Sequence, residues 1–358
     1  MLFSGAGDGN RPPCLCFWQS GRFLITEMKT ALPPQKNGFW RAIKWIAGVL
    51  ILLLVILLYG VVPWFLTNIV TTSRYRYPDP NNRNTPASFG MPFQNVQFTS
   101  RDGILLKGWY VPSDVPKDGQ PLGTIIYCHG FQRSRVEMLP MAQFGHQLGY
   151  DGLLFDFRHQ GESGGKVSSI GYWERLDAET AMSFALAQEQ APHPVILWGV
   201  SMGAAASLMA AAEDPHVDAV ISDSTFLSFD TVIKSNYYAI LRIIRRHRPW
   251  FPPLPAFPLT NEVIAWSAWR AHFNPSDFDL EKAVRRASPR PILFVAVQGD
   301  DRMPPWIAQR LYSDDASPLK QIVILPGHRH GEGFNDARAQ YEQAVSQFLS
   351  LLRSKPGL

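Results

Sequence analysis

Ser201 lies between two glycines in Gly199-Val-Ser201-Met-Gly203, after the apolar run Val195-Ile-Leu-Trp and before Ala204-Ala-Ala. A hydroxyl held on a tight turn from strand to helix sits on strained backbone, and small residues two before and two after it avoid clashes. The following helix aims its N-terminus at the reacting atoms, where its dipole favours developing negative charge. This is the chemistry of a nucleophile attacking an acyl carbon. Such a serine needs a general base, and the base needs a carboxylate to fix its tautomer and stabilise its charge. Two later loops, each after an apolar run, carry those residue types. Ile292–Val297 leads into Gln298-Gly-Asp300-Asp301-Arg-Met-Pro-Pro, so either aspartate can serve as the acid; Asp301 is the first choice and Asp300 the alternate. Gln321–Leu325 leads into Pro326-Gly-His328-Arg-His330-Gly331, where His330 is the expected base and His328 the alternate.

Developing negative charge on an acyl oxygen needs donors. One is the amide after the nucleophile, Met202; the other is expected from the loop Cys128-His129-Gly130-Phe131, most simply at Phe131. His129, at a strand end, reads as a brace for its loop rather than as the base, and Cys128 as a buried, inert strand residue. Three cysteines are too few for a disulfide framework, and no Cys/His spacing suggests a metal site. No cofactor is expected.

These loops need a rigid frame. Short apolar runs at 123–128, 152–157, 195–198, 219–222, 292–297 and 321–325 read as buried strands, with helical stretches between most of them, such as Trp173–Gln188 and Ala204–Ala212. Val96–Thr99 and Ile104–Val111, joined across Asp102-Gly103, read as two more strands. Strands alternating with helices predict an α/β fold, a mostly parallel sheet with helices on both faces, over about residues 93–353. The alternation does not require residues 226–274, which are expected to form a cap over the site. Within them Thr231–Arg248 places Ile233, Tyr237, Ile240, Leu241 and Ile244 on one helical face, and no acid lies between Asp230 and Glu262. The preferred reading is a solvated cap helix whose apolar face covers the acyl pocket; the other is a basic helix resting on an anionic membrane. The aromatics of Trp250-Phe-Pro-Pro-Leu-Pro-Ala-Phe-Pro are expected to line an apolar substrate path.

Trp45–Leu66 carries no charge and is long enough to cross a hydrocarbon core of about 30 Å, with Trp40, Trp45, Tyr59 and Trp64 placed to suit the two interfaces. It is read as an uncleaved single-pass anchor, following a tail over residues 1–44 whose natural start is placed at Met28. Residues 67–92 are read as a stalk. Lys36, Arg41 and Lys44 crowd the near side of the anchor, which favours the N-terminus inside and the body on the outer side. Residues 1–83 hold nine lysines and arginines against three acids, whereas the remainder holds 25 against 27. The excess flanks the apolar segment instead of forming a basic patch on the body, which excludes nucleic acid as a partner.

The strand–Gly199-x-Ser201-x-Gly203–helix unit and the acid and base loops resemble the alpha/beta-hydrolase superfamily over about residues 93–353. Asp156-Phe-Arg158-His-Gln-Gly161-Glu-Ser163-Gly-Gly is similar to the family's loop after the fourth strand, with His159 and Gln160 replacing part of the pattern. Phe98-Thr-Ser-Arg-Asp102-Gly, Gly108-Trp-Tyr-Val-Pro112 and Asp223-Ser-Thr-Phe226 resemble the single-pass, membrane-anchored serine hydrolases of that superfamily. The acid loop departs from the usual G-x-x-D spacing, since Gly299 is two before Asp301. A serine nucleophile sets the chain apart from the epoxide-hydrolase and dehalogenase branches. The resemblance implies hydrolysis of an ester, thioester or amide through an acyl-enzyme, with a small acyl substrate, lipid-like ones favoured. Peptidase activity and a non-catalytic, membrane-tethered binding protein are the alternatives.

Overall fold

The computed structural model describes residues 18–19, 22–23, 38–72, 83–114, 119–187 and 194–354. Met28, Cys14, Cys16 and residues 73–82 of the expected stalk lie outside the described residues. The chain divides into two compact units, residues 1–54 and 55–358. In the first, Trp18–Gln19 pairs antiparallel with Arg22–Phe23. Helix α1 (Gly38–Ile56) begins in the same unit and buries none of its side chains.

A π turn (Leu57–Val61) leads into α2 (Val62–Thr71). The helical run from Gly38 to Thr71 is long and apolar enough to cross a membrane, and its most apolar stretch is unburied. It extends past Leu66, where the expected anchor ends, so the first residues of the expected stalk are helix instead. Their polar composition has a tertiary reason: α2 packs along the later helix Leu259–Ala271, with Thr67 and Thr71 buried. Thr71 Oγ1 bonds the Thr67 carbonyl at 2.8 Å, and Asn68 Oδ1 accepts from Arg270 at 2.6 Å.

The body is an eight-stranded sheet. Its strands are β1 (Gln94–Thr99), β2 (Leu105–Val111), β3 (Thr124–Cys128), β4 (Asp151–Phe155), β5 (Val195–Val200), β6 (Ala219–Asp223), β7 (Ile292–Val297) and β8 (Gln321–Leu325). Their order is β8-β7-β6-β5-β3-β4-β2-β1. Pairing is parallel from β8 to β4 and antiparallel at β4–β2 and β2–β1. Every residue of β3 to β7 is buried, as expected of runs apolar on both faces. Alternate residues feed two cores. Ile126, Leu153, Leu197 and Phe294 pack under α4 (Glu174–Leu186), α5 (Met202–Glu213), α8 (Leu280–Ala287) and α9 (Trp306–Asp314). Ile125, Leu154, Ile196 and Leu293 pack with α3 (Leu139–Gln147) and the C-terminal α11 (Arg338–Ser354), which follows the short α10 (Gly333–Asp336).

Between β6 and α8 the chain builds α6 (Phe229–His247) and α7 (Leu259–Ala271). Ser228 caps α6 by accepting from the Thr231 amide at 3.1 Å. The predicted apolar face is split: Ile233 and Leu241 are buried, whereas Ile240 is exposed.

Candidate active site

β5 delivers Ser201 onto a turn that leaves no room for a side chain two residues before or after it. Ser201 takes φ 53° and ψ −110°. A Cβ on Gly199 would lie 2.4 Å from the Ala204 nitrogen, and one on Gly203 would lie 2.0 Å from the Cys128 carbonyl oxygen. Both glycines are therefore steric requirements, and α5 starts directly beneath the hydroxyl. The Ser201 amide donates to the Asp223 carbonyl at 2.8 Å. The Asp223 carboxylate accepts from Ser224 Oγ at 2.8 Å and from Tyr341 at 3.0 Å, so the resembling stretch Asp223–Phe226 buttresses the turn.

His330 Nε2 lies 2.8 Å from Ser201 Oγ, and His330 Nδ1 lies 2.6 Å from Asp300 Oδ2. With Nδ1–H donated to the carboxylate, Nε2 is left to accept the serine proton. Asp300 Oδ1 accepts from the Arg302 and Met303 amides at 2.8 and 2.9 Å. The carboxylate that reaches His330 is therefore that of Asp300, the alternate, and not that of Asp301, the first choice. The chain turns at once after β7, with the Asp300 amide donating to Val297 O. That turn aims Asp300 inward, and Asp301 is left 62% exposed against Arg242. Of the two histidines, His328 packs its ring over Gly299, whose missing Cβ makes the room, and its side chain is exposed.

Burial pushes His330 below its ordinary 6.5, the Arg302 charge pushes the same way, and the Asp300 carboxylate opposes both. Burial alone would raise Asp300, but the His330 hydrogen bond and charge and the two amides outweigh it and hold the carboxyl below 3.8. At neutral pH the pair is a neutral imidazole and a carboxylate, the state of a resting general base.

The expected oxyanion donors are the amides of Met202 and Phe131. The Met202 amide opens α5, and Phe131 lines the pocket with Gly130, Arg133, Ser201, Arg302 and His330, around a volume of about 200 Å³. His129 braces this loop: Nε2 accepts from the Phe157 amide at 3.1 Å and Nδ1 contacts the Gly130 carbonyl at 2.8 Å. Three supports have no signal in the sequence because their partners are distant or unpatterned. Glu137 accepts from the Gly130 amide at 2.6 Å and pairs with Arg133 at 3.3 Å. Gln132, buried at φ 58°, donates to the carbonyls of Ile69 and Thr72 at 2.8 and 3.2 Å. Asn236 of α6 accepts from Arg302 Nε at 2.7 Å.

The loop Asp156–Gly165 is scaffolding. Asp156 accepts from the Arg135 and Glu162 amides, and a Cβ on Gly161 would collide with its carboxyl. Arg158 bridges Asp102 and buried Asp177 at 2.6 and 2.7 Å. Removing one partner of such a buried pair costs about 3–5 kcal/mol. Cys128 is buried, its thiol pushed up to about 12 by that burial. Among the described residues no cluster of histidine, cysteine or carboxylates could hold a metal ion. Of the aromatics expected to line an apolar substrate path, Trp250 and Phe257 are 74% and 70% exposed and Phe251 is half-buried.

The model of the alpha/beta hydrolase family matches residues 125–344. The chain belongs to this family. As a hydrolase-family chain it is 25% identical to YfhR of Escherichia coli (strain K12) over 264 residues, 72% of this chain and 81% of YfhR. It is 28% identical to YqkD of Bacillus subtilis over 250 residues, 69% and 76% of the two chains. Among solved structures, the Pyrococcus furiosus esterase Pf2001 superposes with a TM-score of 0.60 at 21% identity, over 77% of this chain and 96% of the esterase. At that identity the likeness concerns the fold.

Proposed function

We propose that this hydrolase-family chain is a membrane-anchored serine hydrolase that cleaves an ester, thioester or amide through an acyl-enzyme on Ser201. The unbroken line Asp300–His330–Ser201 carries the reading. Ser201 Oγ attacks the acyl carbon while His330 Nε2 takes its proton, and Asp300 stabilises the imidazolium that forms. The oxyanion accepts from the Met202 and Phe131 amides. As the acyl–leaving-group bond breaks, His330 returns the proton to the leaving group. It then deprotonates a water that frees the acid and restores the hydroxyl. Anchoring is supported by the unburied apolar helix Gly38–Thr71, and the body is assigned to the outer side by the cluster Lys36, Arg41 and Lys44.

A fluorophosphonate probe should label the full-length protein and leave Ser201→Ala unlabelled. Turnover of p-nitrophenyl esters of graded chain length, or of an aminoacyl anilide for the peptidase alternative, should fall by about 10⁴-fold or more in that variant. A folded wild type that takes no label and turns over none of these substrates would be a binding module on the same scaffold.

A further inference from the structure

We infer that the tip between α6 and α7 is a second membrane contact, docking on an anionic bilayer beside the anchor; the inference rests on the anchored reading above. The last turn of α6 and the loop after it carry Arg245, Arg246, His247 and Arg248, then Trp250, Leu254 and Phe257. All seven are exposed, and so are Ile240 and Ile243 of α6. Cations in a last helical turn complement the helix dipole, which accounts for the arginines but not for the apolar side chains among them. A segment that exposes arginines, tryptophan and phenylalanine together has the composition of an interfacial segment, aromatic at the acyl boundary and basic at the headgroups.

The orientation of α7 says what covers it. Arg270, near the C-terminal end of α7, bonds Asn68 near the end of α2, and α7 also packs against Leu57–Val61. The two helices therefore run alongside each other in the same direction. At about 1.5 Å per residue, Val61 lies about 10 Å back from Asn68 along the axis. The N-terminal end of α7, and the tip that precedes it, thus stand level with Leu57–Val61, where Tyr59 suits the interface and the chain passes from the unburied α1 to α2, packed on the body. An exposed tip at that level meets the headgroup region of the bilayer that the anchor crosses. Three arginines with no acid between Asp230 and Glu262 fit anionic lipid.

The test uses the full-length protein with Cys14 and Cys16 replaced by serine, reconstituted into phosphatidylcholine vesicles with and without phosphatidylglycerol. A fluorophore on Pro253→Cys should be quenched at least twofold more by nitroxide-bearing lipid than one on Gln343→Cys of α11. The difference should grow with phosphatidylglycerol and be lost in Arg245→Glu/Arg246→Glu and in Trp250→Ser/Phe257→Ser. Equal quenching at the two sites, in protein that resists carbonate extraction, overturns the docking. Protein that carbonate strips from the vesicles overturns the anchor itself. A fluorophore at 253 shielded in detergent as protein concentration rises overturns it in favour of contact with a second copy.

Discussion

Asp300 and Asp301 are adjacent, chemically identical and surrounded by opposite environments, which makes them a sharp test of the proposed relay. Asp300 is buried, holds His330 and is itself held by two amides; Asp301 faces solvent and Arg242. Asp300→Asn should therefore cost about 10³–10⁴-fold in kcat by presenting an amide to Nδ1 and favouring the wrong tautomer. Asp301→Asn, losing only an exposed ion pair, should stay within about threefold of wild type. Steady-state rates on one ester decide it, and the reverse ranking would restore Asp301 as the acid. Arg302 gives an independent handle. A fixed positive charge disfavours the imidazolium, so it lowers the His330 pKa, and activity needs the neutral base. The acidic limb of kcat/KM should then have its midpoint below 6.5. In Arg302→Gln that limb should move to higher pH, because the group's pKa rises once the neighbouring cation is gone. A limb that stays put or moves down would mean that another group titrates there.

At the scale of elements, what was legible depended on whether the cause was local. Strands β3 to β7 were readable because burial on both faces demands unbroken apolar runs. The Ser201 turn was readable because steric exclusion by Ala204 and Cys128 demands glycine at 199 and 203. The base loop could be singled out from its strand end, with His330 preferred although His328 also adjoins a glycine. The acid could not, since the choice between two aspartates is made by a turn closing on Val297, and no residue type signals that turn. The end of α2 was misread for a related reason. Thr67 and Asn68 look like stalk residues until α7 supplies the partner that buries one and bonds the other. The periodicity of α6 placed five apolar side chains on one face, but it could not tell that Ile233 and Leu241 would pack on the body while Ile240 projects.

Across the whole molecule, the end of the apolar helix is built into the α/β body. The last carbonyls of a helix have no partner within it; here the body supplies them. Gln132 donates to Ile69 and Thr72, the Ser168 amide donates to Thr71 at 3.0 Å, and Thr72 Oγ1 lies 3.2 Å from His159 Nε2. Gln132 follows Phe131, the residue whose amide is proposed to hold the oxyanion, so helix and amide are one covalent step apart. A displacement of about 1 Å in a positioned group can cost about 10²-fold in rate. Gln132→Ala should accordingly lower kcat by about 10–100-fold with KM little changed. Gln132→Glu, the same shape with an acceptor facing two carbonyls, should do at least as much harm, and Gln132→Asn should recover part of the rate. A fragment starting at residue 83, which loses α2 altogether, should show the same kcat-selective defect. Thermal melts would establish that each variant is folded. If the fragment keeps full kcat on a water-soluble ester, the helix only tethers the hydrolase and does not position its oxyanion loop.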